Sequence, residues 1–426
     1  MPYNLLTSGS DFGGRADLRG PGWGRWRGGW RSRRRLEGRP GIWEMVEGDR
    51  GMGRWPTFRE AVEALWPARS ARDQTPWAVG WLGYGACAEL AGELPVRMDL
   101  DGALSGILLL EPEKTDSRVV LGAGNPGQGA QVTPSLNDEQ FKEGVRAIKD
   151  LIADGTVYQV NLCRRFTVDK WDGGLQRLFE AASTGDVVPD FLSAFSWDGV
   201  SRGELVCASM ELLVSRRRHR VETRPIKGTR PRGLTTEMDL QLKRQLESDI
   251  KEQAELAMIV DLERNDLSRV ARIGSVIVED PGRVQSWERI HHRVARVTAS
   301  VSAGTPWQDI VSVMAPGGSV TGCPKESAMS VISDLEPVAR GPFTGVLGVI
   351  AGNGDLELAL PIRTAWTSDG RLEMAAGCGI VEHFGLVVRL ADHFAVLDDD
   401  GTARHFAFGG GLLGLAQRHA HKLCVG

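Results

Sequence analysis

The segment Thr223-Arg224-Pro225-Ile226-Lys227-Gly228-Thr229-Arg230-Pro231-Arg232-Gly233 leaves its backbone little freedom and sets one lysine near its centre. Pro225 and Pro231 each fix φ and push the preceding residue toward extended geometry, while Gly228 admits another group close to the backbone. The pattern predicts a rigid loop that presents Lys227. Arg224, Arg230 and Arg232 add positive potential, which suits an acidic ligand and disfavours the ammonium form of the lysine. A neutral lysine is a nucleophile. Bringing its pKa from about 10.4 to near 7 takes roughly 4 to 5 kcal/mol, within reach of burial plus neighbouring cations.

With 426 residues, 42% of them hydrophobic and 25% charged, the chain can bury a large core, and length by itself suggests two or three domains. A net charge of -4 argues against a nucleic-acid or anionic-membrane partner for the whole chain. Cys87, Cys163, Cys207, Cys323, Cys378 and Cys424 are scattered without CxxC pairs, which suits reduced thiols. No apolar run approaches the roughly 20 residues of a membrane span, and the amino terminus lacks a basic-then-apolar signal pattern. A cytoplasmic location is expected. Residues 13–43 are rich in Gly, Arg and Trp without a helical or strand period, and are expected to form a poorly ordered arm.

Further on the patterns sharpen. Trp77–Gly85 reads as a strand. Asn137 with Gln140 three residues on marks a helix start, followed by Phe141, Val145, Ile148 and Ile152 on one face and by Gly155 as a stop. Val157–Phe166 reads as a strand carrying Gln159, and Thr235–Arg264 as mostly helix. The run Ala315-Pro316-Gly317-Gly318-Ser319-Val320-Thr321-Gly322-Cys323-Pro324-Lys325 is a glycine-rich loop entering a helix, a place where backbone N–H groups meet carboxylates or phosphates. It lacks Walker spacing, so ATP is not implied. Two strands, 357–367 and 372–381, are joined by Ser368-Asp369-Gly370-Arg371, a hairpin signal.

From Thr75 to Val381 the chain resembles the chorismate-utilising enzymes. The resemblance rests on Pro225-Ile226-Lys227-Gly228-Thr229-Arg230-Pro231-Arg232, on Ala208-Ser209-Met210-Glu211, on Asp261-Leu262-Glu263-Arg264-Asn265-Asp266-Leu267, and on the glycine-rich run ending at Lys325. A lysine at position 227 is similar to aminodeoxychorismate synthase component I, where anthranilate synthases usually carry alanine. The family implies an α/β (α+β) fold, a two-layer antiparallel β-sandwich flanked by helices with the site between the layers. It divides the chain into a Gly/Arg/Trp-rich segment 1–74, a chorismate-binding catalytic domain 75–384, and a departing segment 385–426.

Residue by residue, the resemblance implies Lys227 as nucleophile, Glu211 as general acid and His292 as the active-site histidine, with His291 its rival. Gln159 stands where family members that add water carry lysine and those that use ammonia carry glutamine. Gly228, Thr229, Ser319, Thr321, Lys325, Phe343, Arg363, Gly377 and Gly379 fall at substrate-binding positions, Arg363 as the arginine that holds a carboxylate. Magnesium is the implied cofactor, with Glu255 as ligand and Asp392 in the register of a second. A Gly-x-Cys-x-Gly glutaminase elbow is missing, so ammonia is expected from a glutamine amidotransferase subunit. The expected reaction turns chorismate and ammonia into 4-amino-4-deoxychorismate, on the way to p-aminobenzoate and folate. Anthranilate synthase component I, and an impaired homologue that only docks the glutaminase, are the alternatives.

Overall fold

In the computed structural model, residues 14–382 are described apart from 49, 67–72, 93–103, 117–118, 120, 123–130, 172–173, 185–188, 199–201, 288–289 and 369. Beyond them only the short strands Val396–Leu397 and Ala403–Arg404 are described. Two antiparallel sheets account for most of the chain. The first runs, in spatial order, Gly322–Cys323, Gln159–Val168, Arg371–Ile380, Thr364–Ser368, Gly203–Ser209, Phe191–Trp197, Gly14–Leu18, Gly28–Ser32 and Glu113–Thr115. The second runs Ile226–Pro231, Ile290–Ser300, Arg220–Arg224, Leu212–Arg217, Leu356–Ala359, Val346–Ala351, Pro76–Leu82, Gly106–Leu110, Arg34–Arg39, Ile42–Glu47 and Arg50–Trp55.

Strand side chains alternate, so each sheet offers one face to the other and one face outward. Leu18, Val79, Trp81, Leu109, Phe195, Leu205, Leu347 and Val349 fill the layer between the sheets. The outer face of the second sheet is covered by the helices Phe58–Leu65, Tyr84–Gly92, Ile250–Ser268 and Trp307–Met314. Helices Asp138–Ala153 and Lys325–Leu335 cover part of the first. The two-layer sandwich flanked by helices is therefore the observed architecture. Among the described residues no helix is long and apolar enough to cross a membrane.

Local signals explain several elements. Asn137 accepts from Gln140 N at 2.9 Å while Gln140 Oε1 accepts from Asn137 N at 2.9 Å, which satisfies two otherwise orphaned donors. Gly155, at φ +74°, takes the left-handed conformation just past that helix. The helical stretch expected from Thr235 to Arg264 is two helices, Thr236–Ser248 and Ile250–Ser268, broken at Asp249, whose side chain caps the second.

Two expectations are corrected. The Gly/Arg/Trp-rich segment is no loose arm: it supplies strands to both sheets, and Arg34–Arg39 pairs directly with Gly106–Leu110, across residue 75. Trp23, Trp26, Trp30 and Trp43 point inward and are buried, and Trp23 Nε1 donates to Leu192 O at 3.0 Å. The arginines reach distant acids, as Arg34 does to Glu111 at 2.6 Å. The lysine segment is likewise no loop. Ile226–Pro231 is an edge strand on Ile290–Ser300, with Lys227 opposite Arg293 and Thr229 opposite His292, so Gly228 is a bulge at φ +79°. Pro231 ends that strand at the sheet edge, where a missing N–H is tolerated.

Candidate active site

The chain crosses from one sheet to the other at two places that matter. Met210 and Glu211 join Gly203–Ser209 of the first sheet to Leu212–Arg217 of the second, and Arg363 lies between Leu356–Ala359 of the second and Thr364–Ser368 of the first. Each crossover sets its charged residue at the seam between the layers. Glu211 is fixed there by its own backbone, whose N–H donates to Ser209 Oγ at 3.1 Å and whose carbonyl accepts from Leu360 N at 3.1 Å.

Ser319, from the glycine-rich run, is the hub. Its hydroxyl donates to Glu211 Oε1 at 2.8 Å, and its carbonyl accepts from Lys227 Nζ at 3.4 Å and from Asn161 Nδ2 at 3.2 Å. One residue thus holds the amine and the carboxyl side by side. Burial pushes Glu211 up to about 7, against the Ser319 hydrogen bond, the Lys227 charge, the Ile226 N–H and the Arg363 guanidinium. A carboxyl poised there exchanges a proton near neutrality, as a general acid must.

The expected cationic cluster around Lys227 is absent. Arg224 pairs with Glu222, Arg230 with Asp249 at 2.9 Å, and Arg232 with Asp239 at 2.7 Å, so their charges are compensated. The charge of Arg363 is felt at both Glu211 and His292. Its backbone stands at φ +52°, a strained conformation for a residue with a side chain, of the kind that clusters at functional sites.

Neighbouring histidines on a strand face opposite ways. His291 is tied up, with Nδ1 2.9 Å from Ser286 Oγ and Nε2 3.0 Å from Asp239 Oδ1. His292 Nδ1 lies 2.8 Å from Thr229 Oγ1, while its buried Nε2 has no hydrogen-bond partner. Burial first, then the Arg363 charge, pushes it down to about 3, so the ring is neutral at ordinary pH. Gln159 is 1% exposed, and both amide atoms lack partners. It shares a strand face with Asn161 and fills the space left by Gly379, where a Cβ would come 3.0 Å from Gln159 Nε2. Buried polar atoms without partners are rare, and here they mark places for ligand atoms.

Other expected residues are placed differently. Thr321 Oγ1 donates to Gly317 O at 2.8 Å, stapling its own loop. Lys325 Nζ is bound to Asp266 Oδ2 at 2.5 Å and to Val313 O at 3.1 Å, so the ammonium anchors a helix rather than joining Lys227 and Glu211. Phe343 is packed into the layer between the sheets. At Gly377 a Cβ would meet Cys163 Sγ at 2.2 Å, so packing against the neighbouring strand requires glycine there.

Sequence reasoning missed three supports. Arg340 is buried in a two-pronged pair with Glu336, and donates to Val320 O at 2.8 Å and Asn161 O at 2.7 Å, clamping the Ser319 loop to the Gln159 strand. Asn161 was readable as the same-face neighbour of Gln159. Glu252 lies one turn before Glu255, and a Cβ on Gly228 would come 3.2 Å from its carboxyl.

The Glu252 and Glu255 pair bears on magnesium. Burial, and then the charge of Glu255, raise Glu252 above the usual carboxylate range. Two crowded carboxylates on one helix turn are hard oxygen donors of the kind magnesium takes while keeping several waters or substrate oxygens, so the residues present fit the ion. Among the described residues no group of three or more metal-binding side chains exists, and Asp392 lies outside the described residues.

The sequence profile described as chorismate binding enzyme matches residues 111–383. The chain is 38% identical to anthranilate synthase component 1 1 of Haloarcula marismortui, over 57% of this chain and 49% of that protein. It is 36% identical to aminodeoxychorismate synthase component 1 of Bacillus subtilis, over 60% of this chain and 53% of that protein. It spans about half the length of the curated relatives it matches. Among solved structures, anthranilate synthase component I from Streptococcus pneumoniae shares the fold at a TM-score of 0.68 and 22% identity, covering 90% of this chain and 91% of that one. The menaquinone-specific isochorismate synthase of Escherichia coli does so at 0.61 and 15%, covering 83% and 84%. On the extent of the profile match, the chain belongs to the chorismate binding enzyme family.

Proposed function

We propose that the protein is the synthase component that converts chorismate and ammonia to 4-amino-4-deoxychorismate, in the cytoplasm, with ammonia delivered by a glutamine amidotransferase subunit. The observation that carries this reading is the Ser319 hub, which sets Lys227 Nζ and the Glu211 carboxyl against one residue. The step drawn below needs an uncharged amine and a protonated carboxyl at the same moment, and burial favours the protonated form of the Glu211 carboxyl.

Lys227 attacks C2 of the ring as Glu211 protonates the C4 oxygen, which leaves as water. Ammonia then forms its bond at C4 and expels the lysine. Arg363 holds the enolpyruvyl carboxylate, and the neutral imidazole of His292 and the amide of Gln159 offer their unpartnered atoms to the substrate. Glu255 and Glu252 would hold magnesium, which supplies positive charge for the ring carboxylate when bound. The ammonia source is supported by relatives carrying the name component 1.

Incubation with chorismate, magnesium and ammonium salts, with products separated by chromatography, tests the reading. An amine retaining the enolpyruvyl group is expected. Anthranilate with an equal amount of pyruvate would overturn it in favour of an anthranilate synthase, and unreacted chorismate would leave a docking role.

A further inference from the structure

The proposed amination has a proton requirement. Neutral ammonia adds at C4 and becomes an ammonium on the product, while the proton that left with the C4 oxygen came from Glu211. A product that departs as its ammonium form leaves Glu211 one proton short, and Glu211 is buried away from water. A route for that proton must exist.

Glu263 lies on the helix behind the Ser319 loop and is 2% exposed. It accepts from Thr223 Oγ1 at 2.5 Å, and the groups that face it are Glu211, Asp266 and Lys325. Asp266 is one helical turn further on, its carboxylate bound to Lys325 and flanked by Arg269. Asp266 and Lys325 line a groove of about 630 Å³, together with Asp261, Asn265 and Arg269. Glu263 therefore feels the charge of Glu211, at the seam between the sheets, and that of Asp266, which lines the open groove. The chemistry assigned to Lys227, Arg363 and His292 leaves Glu263 unused.

We propose that Glu263 acts through Glu211 as a positioning residue, supplying its proton between turnovers from the groove by way of Asp266. This rests on Glu211 being the acid of the amination. In the step, the Glu263 carboxyl passes its proton to the Glu211 carboxylate, and the resulting Glu263 carboxylate takes a proton that enters from groove water through Asp266. No other bond changes. Burial, opposed by the Thr223 hydrogen bond and reinforced by the Glu211 charge, pushes Glu263 up to about 8, so it carries a proton at neutral pH.

The test is Glu263→Gln, which keeps an acceptor for Thr223 and removes the acid. Single-turnover product formation, with enzyme in excess over chorismate and ammonium salt supplied, is compared with steady-state kcat from pH 6 to 9. The first turnover uses the proton already on Glu211, so its rate is expected to stay within about two-fold while kcat falls about ten-fold or more. Glu263→Asp, which keeps an acid, should restore the ratio of the two rates. Equal falls in both rates, or no change in their ratio, overturns the proposal. Should Glu263→Gln not fold, Asp266→Asn interrupts the route at the groove end and is read by the same ratio. A wild-type enzyme that forms no amine even in a first turnover sinks the amination reading and this one with it, whereas amine formation with an unchanged ratio sinks only this one.

Discussion

Glu211→Gln should make the protein more stable at alkaline pH while nearly abolishing its chemistry. The Glu211 carboxyl rises from an ordinary 4.5 to about 7 in the folded chain, chiefly through burial. Because the folded value lies above the unfolded one, the penalty is absent below about 4.5, grows as pH rises, and is complete above about 7. One pKa unit corresponds to about 1.4 kcal/mol, so the ionised carboxyl costs about 3 kcal/mol of stability at pH 8.5. A glutamine is neutral throughout. Its amide oxygen still accepts from Ser319 Oγ, but an –NH2 cannot accept from the Ile226 N–H, which costs about 1 kcal/mol. The net expectation is about 2 kcal/mol in favour of the variant at pH 8.5, turning to parity or slight loss near pH 5. Glu263 titrates over a similar range but is present in both proteins.

Urea denaturation followed by tryptophan fluorescence at pH 5 and 8.5 measures this difference directly. In parallel, turnover should fall at least about 100-fold with chorismate affinity changed only slightly, as for loss of a general acid. A stability difference that is the same at both pH values would refute the assignment of a costly buried carboxyl. A large rise in the dissociation constant with turnover intact would refute its role as acid.

Lys227→Ala should retain chorismate binding, since the contacts assigned to substrate lie on other residues, yet lose turnover by several powers of ten; near-normal rates with ammonium salts would end the nucleophile assignment. Ser319→Ala removes a hydrogen bond worth about 1 to 2 kcal/mol to the ionised Glu211, so the alkaline limb of kcat/KM should move up by about one unit, and a limb that stays or moves down contradicts the hub. Glu255→Gln should weaken the magnesium dependence of chorismate binding, measured by calorimetry with and without the ion; unchanged magnesium titration would remove Glu255 from the metal site.

What could be read in the chain was mostly what is decided within a few residues. The Asn137 capping box, the hairpin at Ser368–Arg371 and the strand beginning near Trp77 are all local. The Arg- and Trp-rich segment failed because its charges are answered from far away: Arg34 finds Glu111 only after the sheet has formed. Taken locally, the arginines look like a solvated arm; in the sheet, the tryptophans between them carry the packing. The partner of Lys325 was hidden for the same reason, since Asp266 sits on a helix that the sequence places in a separate motif.

The site itself shows where motif reading stops. Each motif named a candidate, but none could say which two side chains meet, because Lys227, Glu211 and Ser319 come from an edge strand, a crossover and a glycine-rich turn. The choice between His291 and His292 illustrates the point. Alternation alone says only that the two face opposite ways; the phase is set by the pairing of Thr229 with His292, and that pairing follows from the bulge at Gly228. A residue that occupied φ +79° poorly would slip the register of Lys227 against Arg293 and of Thr229 against His292 together. The glycine after the lysine therefore governs the aim of the nucleophile and the choice of histidine by one and the same backbone feature.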